Sequence, residues 1–317
     1  MGEYLDLPLF VQKKIKGVLF LVVLGSVWGS SFILMKLGME PVTGFKTLDA
    51  QQVAGLRMLI AALAFLPFSV PKYRLLFSKT GIYFLIVGLC GNFIPSFLFT
   101  YAGTGLSSGL SGILNSFTPV FTALIGFVAF GIKIHRLQVM GIMVGILGIG
   151  TLVSASLGLK LGGTPTHILA ILLATLLYGI SVNTIRQKLS HVSALEVSSL
   201  GLLCILPFSF LTFLYTGTGT ALLQAKFGMQ SLGYVFILGF IGTAISNVLF
   251  NRLIKLTSAI FASSVTYLIP IFAVFFGFIL HESLTLQQLF SMAIILVGVF
   301  LVNFHENILK IWKKNRQ

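Results

Sequence analysis

Apolar residues run along this chain in blocks of about twenty, separated by short gaps that are polar or rich in glycine, threonine and proline. A stretch of about 20 mostly apolar residues is what an α-helix needs to cross a bilayer. Ten such blocks can be marked, at roughly 17–38, 50–70, 80–102, 106–130, 136–155, 166–188, 193–215, 230–251, 257–280 and 286–304. Capping chemistry supports several of the starts. Asp49 with Gln52, Ser193 with Glu196 and Thr285 with Gln288 stand three residues apart, as a capping box requires. Thr164-Pro165 reads as a cap followed by proline in the first turn. The longest gaps, near 39–49, 155–165 and 216–229, leave no room for a soluble domain. The pattern predicts an all-α membrane protein of ten transmembrane helices, with 1–16 and 305–317 as tails.

Composition agrees. Of 317 residues, 56% are hydrophobic and 9% charged, against about 25% charged in a soluble globular domain. This excludes a soluble enzyme, a nucleic-acid-binding domain and a disordered chain. The net charge of +14 is not a nucleic-acid footprint, because the basic residues sit in the gaps between apolar runs. Numbering the gaps alternately from the N-terminus puts sixteen Lys and Arg on the first side, including Lys13, Lys14, Lys16, Lys72, Arg74 and Lys188. The second side holds three, Lys46, Lys160 and Lys226. The positive-inside rule then places both termini in the cytoplasm, and a reading with eight or nine spans would destroy the alternation. The first run follows Lys13, Lys14 and Lys16 but ends at no A-x-A-like cleavage site, so it is expected to be a retained helix. Cys90 and Cys204 lie inside apolar runs and read as small core residues.

The two halves resemble each other. Trp28-Gly29 matches Tyr178-Gly179, and Lys36 matches Arg186 at the same shift. Leu66-Pro67-Phe68-Ser69 matches Leu206-Pro207-Phe208-Ser209. Tyr83, Gly88 and Gly91 match Tyr234, Gly239 and Gly242; Pro119 and Gly126 match Pro270 and Gly277; Gln138 and Gly148 match Gln288 and Gly298. The repeats are 17–155 and 166–304. A unit of five helices is odd, so two consecutive copies enter the membrane from opposite sides. An inverted repeat of this kind suits alternating access, in which similar halves exchange roles as inner and outer gate.

The ordered set of residues resembles the drug/metabolite transporter superfamily, EamA type. It comprises Val27-Trp28-Gly29-Ser30-Ser31-Phe32 with Lys36, Arg57, Pro119 and Pro270, Gly126 and Gly277, and the tail Glu282, Gln288, Gly298. The first copy departs from it in carrying Gly131 where the second carries Glu282. The resemblance implies a ten-helix bundle in a bacterial inner membrane. It also implies a central cavity lined by spans one to four and six to nine, and transport of small metabolites, often amino acids, frequently outward.

Arg57 lies about seven residues into its span, roughly 5 Å from mid-membrane at 1.5 Å per residue. A cation there costs about 2.5–3.5 kcal/mol and calls for a cavity or a partner. Trp28 and Tyr178 hold equivalent near-central positions and call for polar partners; Tyr267 is a further aromatic of this kind. Asn92, Asn115 and Asn247 supply amides at depth. These seven residues form the expected substrate-binding set. Lys36, nearer the outer interface, reads as snorkelling. There is no HExxH, Cys/His cluster, P-loop or triad, so no catalysis, metal or cofactor is expected. The expected partners are a small-molecule substrate and the lipid bilayer, with no nucleic acid, in a monomer or weak homodimer. The Gly141-x-x-x-Gly145 pair could serve peripheral packing or dimerisation. Two other functions fit the same architecture: a flippase-like protein for lipid-linked substrates, and a non-transporting membrane subunit.

Overall fold

The computed structural model describes residues 9–158, 165–256, 265–279, 281–282 and 284–314. The described residues form helices without strands. In order these are α1 (Leu9–Met39), α2 (Ala50–Ala64), α3 (Leu66–Ser69), α4 (Gly81–Gly88), α5 (Ile94–Gly103), α6 (Ser108–Asn115), α7 (Thr118–Phe130) and α8 (Arg136–Gly158). The second part of the chain gives α9 (Pro165–Lys188), α10 (Ala194–Tyr215), α11 (Thr218–Gln224), α12 (Gly228–Gly239), α13 (Ser246–Leu256), α14 (Val265–Ile279) and α15 (Leu286–Lys314).

Six stretches of the described residues are long and apolar enough to cross a membrane, for example Gly17–Met39 and Gly228–Leu253. The pair Ala50–Ala64 and Leu66–Phe77, bent by 50°, makes a seventh if taken as one span. Arg136–Leu152, Val265–Ile279 and Leu286–Val302 are shorter apolar helices at three further expected places. Helices thus run through most of each expected stretch where it is described, and six or seven of the stretches meet the criterion for a full span. The expected caps form at three starts. Gln52 Oε1 accepts from Asp49 N at 2.8 Å, Ser193 and Glu196 exchange bonds of 3.1 Å, and Thr285 and Gln288 exchange bonds of 3.0 and 3.2 Å. Thr164 lies outside the described residues.

Several spans are interrupted, with identifiable causes. After Phe65 the chain turns into Leu66-Pro67, where proline has no amide hydrogen to continue the ladder. The third span widens to a π-turn at Leu89–Phe93, just before Pro95, and the eighth widens at the matching place, Phe240–Ile245. Side chains occupy carbonyls freed by these wider turns. Asn92 Nδ2 donates to Val87 O at 3.4 Å and Thr243 Oγ1 to Leu238 O at 3.2 Å, both five residues back. The fourth span breaks at Ser116–Phe117, between α6 and the Thr118-Pro119 start of α7.

Glycines set the close crossings. A β-carbon on Gly29 would stand 2.5 Å from Phe272 Cβ and 3.0 Å from the Ile269 carbonyl, so α1 lies directly on α14. The matching Gly179 of α9 would carry one 3.0 Å from Thr122 N of α7. Gly112 brings α6 against Ala273 and Pro270 of α14. Gly141 and Gly145 of α8 meet Gly298 of α15 backbone to backbone. This small-residue pair is therefore used within the chain.

Candidate functional site

The helices enclose a cavity of about 190 Å³. Its wall comes from α1, α2, the two π-turn spans, α6 and α7, α9, α10 and α14; no residue of α8 or α15 lines it. In the order of the expected stretches these are the first four and the sixth to ninth, while the helices of the fifth and tenth, α8 and α15, pack on each other outside the cavity.

The wall is built largely from repeat-related pairs. Trp28 faces it with Tyr178, Ser31 with Ser181, Met35 with Ile185, Asn92 with Thr243, Ser96 with Asn247, and Asn115 with Thr266. One pair is of opposite character: Arg57 on α2 corresponds to Val197 on α10, at the shift set by Leu66-Pro67 and Leu206-Pro207.

Six of the seven sequence-predicted site residues meet in this cavity: Trp28, Arg57, Asn92, Asn115, Tyr178 and Asn247. Arg57 Nε donates to Thr243 Oγ1 at 2.8 Å, and one terminal nitrogen approaches Met35 Sδ at 3.9 Å. Its charge lies within electrostatic reach of the Tyr178 phenol. Among the described residues no Asp or Glu lines the cavity. The guanidinium thus faces the cavity with hydrogen bonds but without a counter-charge. Trp28 Nε1 donates to Gly242 O at 3.2 Å, a carbonyl within the second π-turn, and its ring packs on Phe250. Tyr178 stacks on Phe99 at 5.7 Å. Asn247 Nδ2 donates to Asn92 Oδ1 at 2.8 Å, joining the two π-turn spans across the cavity.

Tyr267 stands apart from the other six. It does not line the cavity; its hydroxyl donates to Val299 O of α15 at 2.9 Å. The polar partner that a deep tyrosine requires is supplied by the neighbouring helix, which removes the reason for placing it in the site.

Lys36 also departs from expectation. Instead of snorkelling, its Nζ meets Glu282 Oε1 at 2.6 Å, with side chains 25% and 15% exposed. Glu282 in turn accepts from Ser108 N at 2.6 Å and Ser108 Oγ at 3.0 Å, which seats a carboxylate on the N-terminus of α6. This cluster ties α1, α6 and the end of α14 together. The first copy has no acid at the corresponding place, where the sequence reads Gly131-Ile132-Lys133-Ile134. At the matching end of α9 stands Arg186, which is exposed and lines the cavity. The cavity therefore reaches the surface at the exposed Arg186, beside Val197, Ser198 and Asn251, while neither Lys36 nor Glu282 lines it.

Sequence reasoning missed Thr243, Ser198 and Asn251. Thr243 was legible as the repeat partner of Asn92. The Asn251 Nδ2 bond to Ser198 Oγ, at 2.8 Å, joins helices with no common sequence signal. The described residues contain no group of three or more His, Cys, Asp or Glu that could hold a metal ion.

A bundle of apolar helices around a cavity lined by aromatic and polar side chains fits a membrane transport protein. The EamA-like transporter family model matches residues 15–154 and again 165–304, and the chain belongs to that family. It is similar to the uncharacterized transporter YoaV of Bacillus subtilis (strain 168), 22% identical over 92% of this chain and 97% of that protein. A probable amino-acid metabolite efflux pump of Escherichia coli (strain K12) is 27% identical over 90% of this chain and 93% of its own. The uncharacterized inner membrane transporter YedA of the same strain is 26% identical over 93% and 90%. A solved crystal structure superposes with a TM-score of 0.58 at 14% identity, over 92% of this chain and 98% of that one, so the two share a fold.

Proposed function

We propose that the protein is a secondary transporter that exports small amphipathic metabolites, amino acids among them, across a bacterial inner membrane by alternating access. The observation that carries this reading is Arg57, which faces a cavity lined by no carboxylate among the described residues. A cation held at depth without a counter-charge is best compensated by an anionic group of the substrate. Trp28, Tyr178, Phe99 and Phe250 supply apolar surface for the remainder of such a molecule.

Ten spans in two inverted five-helix repeats, 17–155 and 166–304, complete the proposal. The pairing of wall residues between the halves and the matching π-turns support it. The sixteen-to-three charge asymmetry puts both termini, and the Arg186 mouth, in the cytoplasm. In this state substrate enters from inside, while the Lys36–Glu282–Ser108 cluster holds the outer end closed. Export is favoured by the direction named for the efflux-pump relative. The test is efflux from cells that lack their own amino-acid exporters and are loaded with leucine-containing dipeptides. Cells making the protein should release leucine faster than cells without it; equal rates for leucine and for a panel of other amino acids would contradict the assignment.

A further inference from the structure

Arg57 accounts for an anionic group, and the opposite wall accounts for a cationic one. Asn115 is the last residue of α6, at the point where the fourth span breaks. Its side chain is 8% exposed and lines the cavity, and its Oδ1 has no hydrogen-bond partner. Neighbouring polar groups are already engaged. Ser96 Oγ donates to Ala54 O, Thr118 Oγ1 to the Asn115 carbonyl, and Asn92 Oδ1 accepts from Asn247. A buried acceptor left without a donor is costly, and a ligand that brings a donor removes that cost.

The position adds a second reason. The C-terminal end of a helix carries partial negative charge, and the exposed ends of broken helices in transporters are where cations are held. α6 ends inside the bundle at Asn115. With no acid on the cavity wall among the described residues, the Asn115 side-chain oxygen is a buried acceptor left open to a ligand's donor.

We propose that Asn115 and the C-terminal end of α6 form an ammonium subsite, so that the transporter selects zwitterionic α-amino acids over the same molecules without their amino group. The carboxylate goes to Arg57, the ammonium to Asn115, and the side chain to the aromatic wall. This rests on the reading of Arg57 as the carboxylate anchor.

The test uses purified full-length protein in detergent, with ligand-induced shifts in melting temperature titrated for three probes. These are L-leucine, 4-methylpentanoate (leucine without its amino group) and 3-methylbutylamine (leucine without its carboxylate). The wild type should bind leucine about 10- to 100-fold more tightly than 4-methylpentanoate, the range expected for a hydrogen bond to a charged group. Asn115→Leu should bring that ratio to within about threefold by weakening leucine alone, while Asn115→Asp should preserve or widen it. Arg57→Ala should instead remove the preference for leucine over 3-methylbutylamine. If Asn115→Leu keeps the wild-type ratio while Arg57→Ala removes its own, the ammonium subsite is wrong and the anionic anchor stands. If the wild type binds neither leucine nor 4-methylpentanoate, the carboxylate reading fails and takes this proposal with it. If sodium in place of choline stabilises the wild type but not Asn115→Leu, the site holds a metal cation and the proposal is overturned.

Discussion

Replacing Glu282 by glutamine probes the closed end of the cavity. The carboxylate takes three contacts, from Lys36 Nζ at 2.6 Å, Ser108 N at 2.6 Å and Ser108 Oγ at 3.0 Å. With side chains 25% and 15% exposed, water screens the pair only in part. Exposed pairs contribute about 0–1 kcal/mol, and breaking a fully buried one costs about 3–5 kcal/mol. A half-buried pair that also sits on a helix N-terminus falls between, at about 2 kcal/mol. Glutamine keeps the volume and an acceptor for the Ser108 amide, so the charge is what the substitution removes. If the outer end opens only when these contacts break, the open form gains about 30-fold, at about 1.4 kcal/mol per decade. Ser111 supplies the reporter. It is 1% exposed, its hydroxyl has no partner, and it lies one turn before Asn115 on the same face of α6. In a chain with Cys90 and Cys204 replaced by alanine, an impermeant maleimide added outside cells should modify Ser111→Cys roughly 30-fold faster when Glu282→Gln is present. An unchanged rate, at equal amounts of protein in the membrane, would refute the reasoning, because the ion pair would then fasten a loop and not a gate.

Other perturbations have equally definite outcomes. A cysteine at Lys226 should react with the same reagent in intact cells and one at Lys188 should not; the reverse would overturn the proposed orientation. Gly29→Leu should cut transport severely or remove the protein from the membrane, because a β-carbon already meets Phe272 at 2.5 Å, whereas Gly150→Leu, with nothing within 4 Å, should be tolerated; melting temperatures of the two purified variants check this. Trp28→Phe keeps a ring against Phe250 but loses the bond to Gly242 O. A lost hydrogen bond costs about 0.5–1.5 kcal/mol, so the rate of leucine counterflow should fall roughly two- to tenfold.

The helical stretches were legible because a bilayer turns hydrophobicity into a length criterion, and the caps Asp49, Ser193 and Thr285 mark their starts. The wall of the cavity was legible to the extent that residues at depth must find partners. Arg57, Trp28 and Tyr178 were singled out on that ground and do meet. Tyr267, singled out on the same ground, has its partner in a carbonyl of α15 that no local pattern announces. The Lys36–Glu282 pair spans 246 residues of sequence and is invisible to periodicity, although the missing acid near Gly131 had marked the position as asymmetric. In the third span Pro95 stands two residues after the π-turn. The eighth has no proline at the matching place, and its π-turn became foreseeable only through the repeat.

Arg57 is the group proposed to meet the substrate, and its removal is the decisive perturbation. In proteoliposomes loaded with unlabelled leucine, counterflow of labelled leucine is the direct measurement. The wild type should accumulate label, Arg57→Ala should not, and Arg57→Lys should lie between them, since an ammonium keeps the charge but loses the planar fork. Arg57→Ala protein that reconstitutes in equal amount and exchanges leucine at the wild-type rate would contradict the account: the guanidinium would then be structural, held for its bond to Thr243 alone.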